Sequence, residues 1–281
     1  MQSVTDQEQK FSVNPAWNTR FKSYVFAEDI SPELRKIFMD AEALLAHSRV
    51  VKNSRSTSAG VFRVNDTDYF IKRSNVKNFS ERLRRVGRMP RAMRNWFITG
   101  ELKKANILVP EIYMALATSP GLLPGASYLI TECFPLPMTV SNNLPSLLEE
   151  SGSTEKLLRR ICSIAAVIHE RGIEHGDLKL NNILNTGTPE QGFKLGLFDF
   201  DGSVKYAKSC SNAVRMRELA RMASSYFIRC CELDMAVDWQ KNLADWAAAY
   251  AACSSFDYSK AREYLDRARR FLPNGLQDRI N

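Results

Sequence analysis

The feature that most constrains the fold of this chain is a pair of polar motifs set among short apolar runs in its second half. The first motif is His175-Gly176-Asp177-Leu178-Lys179-Leu180-Asn181-Asn182, and the second is Leu197-Phe198-Asp199-Phe200-Asp201-Gly202. Asp199 follows Asp177 by 22 residues, after a strand-like apolar run. Carboxylate and amide side chains in this order suit phosphoryl transfer, in which one group orients the acceptor hydroxyl and others hold magnesium. The motifs therefore predict a phosphotransferase.

Each polar residue of these motifs has a predicted role that follows from its chemistry. Asp177 is the candidate general base, or the group that orients the acceptor hydroxyl. Lys179 can reach the transferring phosphoryl group as a point charge. Asn182 and Asp199 are the predicted magnesium ligands, because Mg2+ prefers oxygen atoms and keeps several waters. Asp199 ends an apolar strand, where a carboxylate is costly unless a cation neutralises it.

The predicted nucleotide-binding residues lie in the first half of the chain. Lys72 ends the strand-like run Tyr69-Phe70-Ile71, where a lysine can contact ATP phosphates. A lysine in such a position is usually just exposed, so the prediction depends on the downstream motifs. Glu132 and Phe134 follow another apolar run, at a hinge that would offer backbone groups to adenine. ATP is therefore the predicted phosphoryl donor and Mg2+ the predicted cofactor.

The order of hydrophobic periods predicts an α+β, two-lobed fold, with a small mixed N-terminal lobe containing an antiparallel sheet and a larger, mostly helical C-terminal lobe. The predicted domains are an N-terminal tail or extension over 1–30, an N-terminal lobe over 31–133 and a C-terminal lobe over 134–281. Strands are predicted within 49–73, 107–117, 126–131, 183–184 and 193–198. Helices are predicted from residue 31 to 45, over 78–86, 90–105 and 154–171, and from 214 to 272.

Composition excludes several classes of protein. Hydrophobic residues make up 44% of the chain, which is enough for a sizeable core and argues against disorder. The six cysteines show no Cys-x-x-Cys spacing and there are only three histidines, so reduced thiols are expected and a histidine-based metal site is not. No apolar run reaches the length of a membrane span, and the polar N-terminus does not look like a signal peptide. We therefore expect a cytoplasmic protein without a transmembrane segment.

The net charge of +8 is concentrated in one segment. Residues 72–104 contain eleven basic and two acidic residues, so this segment carries +9 and the rest of the chain sums to about −1. Such a segment suits an anionic partner, namely a phosphorylated glycan or an acidic membrane surface. Nucleic acid is not expected, because no nucleic-acid-binding motif accompanies the charge. Solvated faces of two helices explain the same charge equally well.

Beyond these patterns, the sequence resembles the lipopolysaccharide core kinases, the Kdo and heptose kinases of Gram-negative bacteria, which are distant relatives of protein kinases. The resemblance covers roughly residues 45 to 225. It is carried by the two motifs above and by further segments: Phe70-Ile71-Lys72-Arg73, Arg91-Ala92-Met93-Arg94-Asn95-Trp96, Ile107-Leu108-Val109-Pro110, Ser127-Tyr128-Leu129-Ile130-Thr131-Glu132 and Ile168-His169-Glu170-Arg171-Gly172-Ile173.

The resemblance implies an ATP- and magnesium-dependent kinase that phosphorylates a sugar hydroxyl of the lipopolysaccharide core. Lys72 would then bind ATP phosphates, Asp177 would be catalytic, and Asn182 and Asp199 would hold magnesium. The acceptor would be the lipopolysaccharide core or another phosphate-bearing glycan. The protein would act in the cytoplasm or peripherally on the inner face of the bacterial inner membrane, which the basic segment 72–104 would contact.

The sequence departs from the usual kinase pattern at several positions. No glycine-rich loop precedes Lys72, and the nearest candidate is the run of small residues from Ser56 to Gly60. Asn95 stands where many kinases carry the glutamate that pairs with the lysine, and Glu101 is a candidate substitute. Gly176 replaces the arginine that contacts a phosphorylated activation loop in many protein kinases, which favours a small-molecule or sugar substrate.

Two further functions stay open from the sequence alone. The first is a kinase of another small molecule, of the aminoglycoside or choline type, which would need an acidic pocket for its cationic acceptor. The second is a catalytically silent nucleotide-binding or scaffold protein. Asn95 and the missing glycine-rich loop favour the silent protein, whereas the joint presence of Asp177, Asn182 and Asp199 argues against it.

Overall fold

The structure is a computed structural model that describes residues 12–13, 21–76, 78–119, 123–134, 139–186, 194–255 and 266–277. The chain divides into two compact units, residues 1–100 with 110–134 and residues 101–109 with 135–281. The predicted α+β class is confirmed, since the first unit contains a large antiparallel sheet and the second is mostly helical.

The first unit is built on a seven-stranded antiparallel sheet with the order β1-β2-β6-β7-β5-β4-β3. Its strands are β1 (Ser12–Val13), β2 (Phe21–Phe26), β3 (Arg49–Asn53), β4 (Thr57–Val64), β5 (Thr67–Ser74), β6 (Ile112–Ser119) and β7 (Ser127–Glu132). β1 and β2 are absent from the strands predicted above. β2 pairs with the distant strand β6, and such a pairing leaves little signal in the local sequence.

Helices cover both faces of this sheet. They are α1 (Pro32–Phe38), α2 (Ala41–Ala46), α3 (Phe79–Arg85) and α4 (Arg91–Lys104), of which α4 continues into the second unit. On one face Phe38 and Ala41 pack against Ile71 and neighbouring strand residues. On the other face Ala92 and Met93 of α4 pack in a cluster that includes Leu129. Alternate residues of the central strands β6 and β7 therefore enter two separate apolar cores.

The second unit contains the helices α5 (Leu144–Ser151), α6 (Thr154–Glu170), α7 (Asn212–Glu232), α8 (Trp239–Ala251) and α9 (Asn274–Gln277). Two small antiparallel pairs accompany them, β8 (Ile173–Glu174) with β11 (Val204–Lys205), and β9 (Ile183–Thr186) with β10 (Lys194–Leu197). Helix α6 matches its prediction and is followed by Gly172 at a φ of 72°. None of the described helices is long and apolar enough to cross a membrane.

The prediction that residues 214–272 are helical is confirmed for most of the described residues but is wrong between residues 233 and 238. α7 ends at Glu232, residues 233–238 form a turn and an irregular segment, and α8 then begins at Trp239 with its first turn capped by Asp238. Residues 266–271 form a 3-10 helix rather than an α-helix. Both α7 and α8 bury an apolar face. Apolar residues therefore recur at helical intervals on either side of the break, and the sequence pattern does not reveal where one helix ends and the next begins. Part of the prediction, residues 256–265, lies outside the described residues.

Candidate active site

The first motif forms the loop between β8 and β9, and the second follows β10, all within the second unit. Leu180–Asn182 and Phe200–Gly202 are both single turns of 3-10 helix. The backbone N–H of Phe198 donates to the carbonyl oxygen of Asn182 (3.2 Å), so the two motifs lie side by side. Residues that are far apart in sequence therefore meet around one loop.

Asp177 is held by two cations and one amide. The Lys179 ammonium lies 2.8 Å from one of its carboxylate oxygens, and the Arg221 guanidinium pairs with the other. The Asn182 amide nitrogen donates to the Asp177 carbonyl oxygen (2.8 Å) and to its carboxylate (3.1 Å). Partial burial by itself would raise the pKa of Asp177, but Lys179 and Arg221 outweigh it and lower that pKa below its ordinary value. The carboxylate is therefore ionised at neutral pH.

The residues predicted to bind magnesium offer oxygen atoms that suit this ion. Asn182 is almost fully buried, and its amide nitrogen is used in bonds to Asp177, so the amide oxygen is the atom that it can offer a cation. Asp199 supplies a carboxylate from a left-handed backbone position, with a φ of 67°. Among the described residues no three His, Cys, Asp or Glu side chains form a metal cluster. Mg2+ does not need one, because it usually binds one or two carboxylates together with waters and phosphates.

His175 is completely buried beneath the loop. Its Nε2 lies 3.0 Å from the Phe198 carbonyl oxygen, which requires an N–H there, and its Nδ1 accepts from the backbone N–H of Asp177 (3.4 Å). These two bonds fix the neutral tautomer with the proton on Nε2. Burial lowers the pKa of His175, in agreement with a neutral ring. His175 thus links the two motifs and is a positioning residue.

Glu218 of α7 anchors the same loop from below and is also buried. Its carboxylate accepts from the backbone N–H groups of His175 (3.0 Å) and Gly176 (2.6 Å), and from the ring of His169 (2.9 Å). Desolvation would raise the pKa of Glu218, but hydrogen bonds from His169 and His175 lower it overall. A buried carboxylate with several donors fixes the backbone that leads into Asp177.

Gly176 is required by a close approach of two backbones. Its φ is 85°, and a Cβ atom built on it would lie 2.4 Å from the carbonyl oxygen of Gly202. Ser203 then donates from its hydroxyl to the His175 carbonyl oxygen (2.8 Å). Any side chain at position 176 would push the two motifs apart. This geometry explains why glycine takes the place of arginine here.

In the first unit, Lys72 lies near the end of β5, a strand that is paired on both sides. It stands opposite Ala59 of β4 and Leu129 of β7. Glu132 ends β7, and its carboxylate accepts from the backbone N–H of Glu111 (3.3 Å). Glu132 is therefore the last residue of the strand rather than the first one after it, and Phe134 follows the strand, as predicted. Their roles toward a nucleotide, like that of Lys72, stay predictions.

At two positions where the sequence departs from the kinase pattern, the side chains form local hydrogen bonds. The Asn95 amide nitrogen donates to the carbonyl oxygen of Arg91 within α4 (3.0 Å), so this side chain stabilises its own helix. At the turn between β3 and β4, the Ser54 hydroxyl accepts from the backbone N–H of Thr57 (3.1 Å) and donates to its carbonyl oxygen (3.0 Å). The hairpin is therefore closed by a serine where kinases have glycines.

Comparison with known proteins then decides the family. The sequence profile of the lipopolysaccharide kinase (Kdo/WaaP) family matches residues 42–252, which is most of the chain. This chain belongs to the lipopolysaccharide kinase (Kdo/WaaP) family. No curated protein sequence is similar enough to count as a match.

A solved structure supports the fold of this Kdo/WaaP family member. The structure described as WaaP in complex with acyl carrier protein matches with a TM-score of 0.60 and 17% sequence identity. The match covers 88% of this chain and 96% of the solved chain. The predicted family and the kinase-like fold are thereby confirmed. At this identity the likeness concerns the fold alone.

Sequence reasoning missed two residues of the kinase's candidate site. Glu218 and Arg221 lie three residues apart on one face of α7, more than forty residues after the loop that they contact. Arg221 also lies over the ring of Phe271, with 4.9 Å between its guanidinium carbon and the ring centroid. The only sequence signal is two charged residues on a buried helix face, a pattern that many structural ion pairs share.

Proposed function

We propose that this protein transfers the γ-phosphoryl group of ATP to a sugar hydroxyl of the lipopolysaccharide core, with Kdo or heptose as the acceptor sugar. The observation that carries this proposal is the ionised carboxylate of Asp177, held between Lys179 and Arg221 and hydrogen-bonded to the Asn182 amide. An oriented carboxylate, a mobile cation and hard oxygen ligands are what phosphoryl transfer needs. Family membership supports the same reaction class.

In this mechanism Asp177 accepts a hydrogen bond from the acceptor hydroxyl. This bond directs the hydroxyl oxygen toward the γ-phosphorus. The new bond between that oxygen and the phosphorus forms as the bond to the β,γ-bridging oxygen breaks, and the hydroxyl proton passes to Asp177. The low pKa of Asp177 is compatible with this role, because the proton leaves late in a loose transition state. Lys179 exchanges its contact with Asp177 for one with the transferring phosphoryl group.

The remaining predicted ligands complete the proposed site. Asn182 and Asp199 would hold Mg2+, which when bound neutralises charge on the ATP phosphates. Lys72 would contact the phosphates, and the backbone at Glu132 and Phe134 would contact adenine. We further propose that residues 1–30 form an extension, whose strands β1 and β2 join the sheet, that 31–133 form the N-terminal lobe and that 134–281 form the C-terminal lobe.

The basic segment 72–104 suggests where the kinase works. We propose that it meets phosphates of the acceptor or anionic lipids, so that the protein acts in the cytoplasm or peripherally on the inner face of the inner membrane. Four arginines of this segment lie on α3 or directly after it, namely Arg82, Arg84, Arg85 and Arg88. A cationic acceptor of the aminoglycoside or choline type would be repelled by this charge.

The test is magnesium-dependent transfer of labelled γ-phosphate from ATP to deacylated lipopolysaccharide core. Wild type is compared with Asp199→Ala and with Asp245→Ala, a control that removes a carboxylate from a surface pair with Lys241. We expect transfer by wild type and the control, and none by Asp199→Ala. Absence of transfer by wild type to any core sugar, while ATP still raises the melting temperature, would contradict the proposed acceptor.

A further inference from the structure

A basic cavity lies in the first unit, on the sheet face opposite to Lys72. It has a volume of about 660 Å³, and three arginines line it: Arg55, Arg73 and Arg82. Successive strand residues point to opposite faces, so Arg73 shares its face with Tyr69 and Ile71, and Lys72 does not. The cavity is therefore separate from the predicted nucleotide contact. No carboxylate is among the residues that line it within the described part of the chain.

Arg73 is held in place but its hydrogen-bonding capacity is not used up. One terminal nitrogen lies 3.1 Å from a carboxylate oxygen of Glu42, and the guanidinium carbon is 5.8 Å from the centroid of the Tyr128 ring. Its Nε is buried and has no hydrogen-bond partner within the described residues. A buried guanidinium N–H without an acceptor costs free energy. An oxyanion in the cavity would supply the acceptor.

The other groups of the cavity favour the same kind of ligand. Asn75 also has a buried side-chain oxygen without a partner among the described residues, and exchanging the amide oxygen and nitrogen would place a donor there. Arg55 and Arg82 form no ion pair with a described carboxylate, so only Arg73 has its charge compensated. A phosphomonoester carries close to two negative charges and three acceptor oxygens, which match several guanidinium groups at once.

Large apolar side chains are exposed next to this cavity. On α3, Phe79 is 64% and Leu83 53% exposed, and they lie one helical turn apart with Arg82 beside Leu83 in sequence. Just beyond the helix, Val86 is 54% and Met89 48% exposed. Apolar side chains flanked by arginines are typical of surfaces that lie in the headgroup region of a membrane.

We propose that the cavity binds the phosphomonoester headgroup of an anionic lipid, while the side chains of Phe79, Leu83, Val86 and Met89 enter the adjoining bilayer interface. The charge of the cavity and the adjacent apolar surface together select an amphiphile rather than a soluble phosphate. This inference rests on the membrane contact proposed above but not on phosphoryl transfer. Lipid binding is measured without ATP, so the result of the lipid-binding experiment does not depend on whether the kinase assay succeeds.

The test is flotation of the full chain with vesicles that contain either phosphatidate or phosphatidylglycerol, adjusted to the same surface potential. Phosphatidate has a phosphomonoester and phosphatidylglycerol a phosphodiester. We expect wild type to bind phosphatidate vesicles about tenfold more tightly, from one additional charge-assisted hydrogen bond. The double variant Arg55→Gln/Arg82→Gln should lower this ratio to about one. The control Arg84→Gln/Arg88→Gln loses the same charge outside the cavity and should keep the ratio, although both affinities fall.

Three results would overturn the proposal. The first is a ratio near one for wild type, and the second is an unchanged ratio in Arg55→Gln/Arg82→Gln. The third is calorimetric binding of glucose 1-phosphate as tight as that of phosphatidate vesicles, which would assign the cavity to a soluble phosphomonoester. The variant Phe79→Ser/Leu83→Ser should weaken binding to both vesicles by at least about tenfold. Undiminished vesicle binding by this variant would refute the membrane-facing role of α3.

Discussion

The strand that carries Lys72 and the loop that carries Asp177 are held in place by different means. β5 is paired with β4 and β7 on either side, so backbone hydrogen bonds spread over several residues fix the position of Lys72. The loop depends instead on a few side chains of α7, above all the buried Glu218, with a smaller contribution from the partly exposed Arg221. Single substitutions at a distance should therefore disturb the loop far more than the strand.

The largest effect is expected for Glu218→Ala. This change leaves the backbone N–H groups of His175 and Gly176 buried without their acceptor, and it should lower the free energy of unfolding by about 3–5 kcal/mol. Urea unfolding measures the loss. The control Glu232→Ala, which removes an exposed ion pair with Arg229 from the same helix, should cost less than about 1 kcal/mol. Equal losses in the two variants would show that the loop does not depend on Glu218.

Lys72→Met should impair the reaction. If Lys72 contacts the ATP phosphates, losing a charged hydrogen bond of about 1.5–3 kcal/mol should lower kcat/KM for ATP by about 10- to 150-fold. Steady-state kinetics with ATP as the varied substrate measures the effect. Lys52→Met removes the same charge from the exposed strand β3 and serves as the control. If both variants reacted alike, Lys72 would have no specific contact with the nucleotide.

The pH dependence of stability should trace to the loop. His175 has an ordinary pKa of about 6.5 in the unfolded chain and a lower one when folded, so below about pH 6.5 the unfolded state binds more protons. The free energy of unfolding should therefore fall as the pH falls, by up to about 1.4 kcal/mol per pH unit from this group. Urea unfolding of His175→Gln should show a smaller slope. The control His47→Gln, at an exposed site, should keep the wild-type dependence of the free energy of unfolding on pH. If both variants kept the wild-type dependence, His175 would not be its source.

Arg221→Gln is expected to have the smallest effect. Removing this cation raises the pKa of Asp177, so the acidic limb of the kcat profile should move to higher pH. Because the pair is partly exposed, kcat at neutral pH should fall by no more than about fivefold. Arg217→Gln, which breaks a pair with Glu174 from the same helix, should leave the limb where it is. If the acidic limb of the kcat profile stayed at the same pH in Arg221→Gln, the titration of Asp177 would not be its cause.

The sequence predicts the loop itself well because its signals are local. Asp177, Lys179 and Asn182 lie within six residues, and the structure brings their side chains into contact. The order of a sheet-bearing unit followed by a helical one is also confirmed. Both predictions rest on periodicity and short motifs, which a single sequence displays directly. The catalytic and ligand roles of these residues stay predictions.

What could not be predicted depends on contacts between distant segments. Glu218 meets the loop 42 residues after Gly176, and no local pattern distinguishes it from other charged residues of α7. β2 joins the sheet through β6, far along the chain, so it was predicted as part of an extension. The break between α7 and α8 was missed because both helices keep an apolar face. In each case tertiary packing decides what local propensity leaves undetermined.

The most direct test of the account is phosphoryl transfer by Asp177→Asn, measured together with ATP binding. The amide keeps the size of the side chain but cannot accept the hydroxyl proton. We expect transfer to fall by about 10²- to 10⁴-fold while the affinity for ATP stays within about twofold of wild type. Transfer at the wild-type rate would contradict the account, because the loop that Glu218 and Arg221 hold would then carry no catalytic carboxylate.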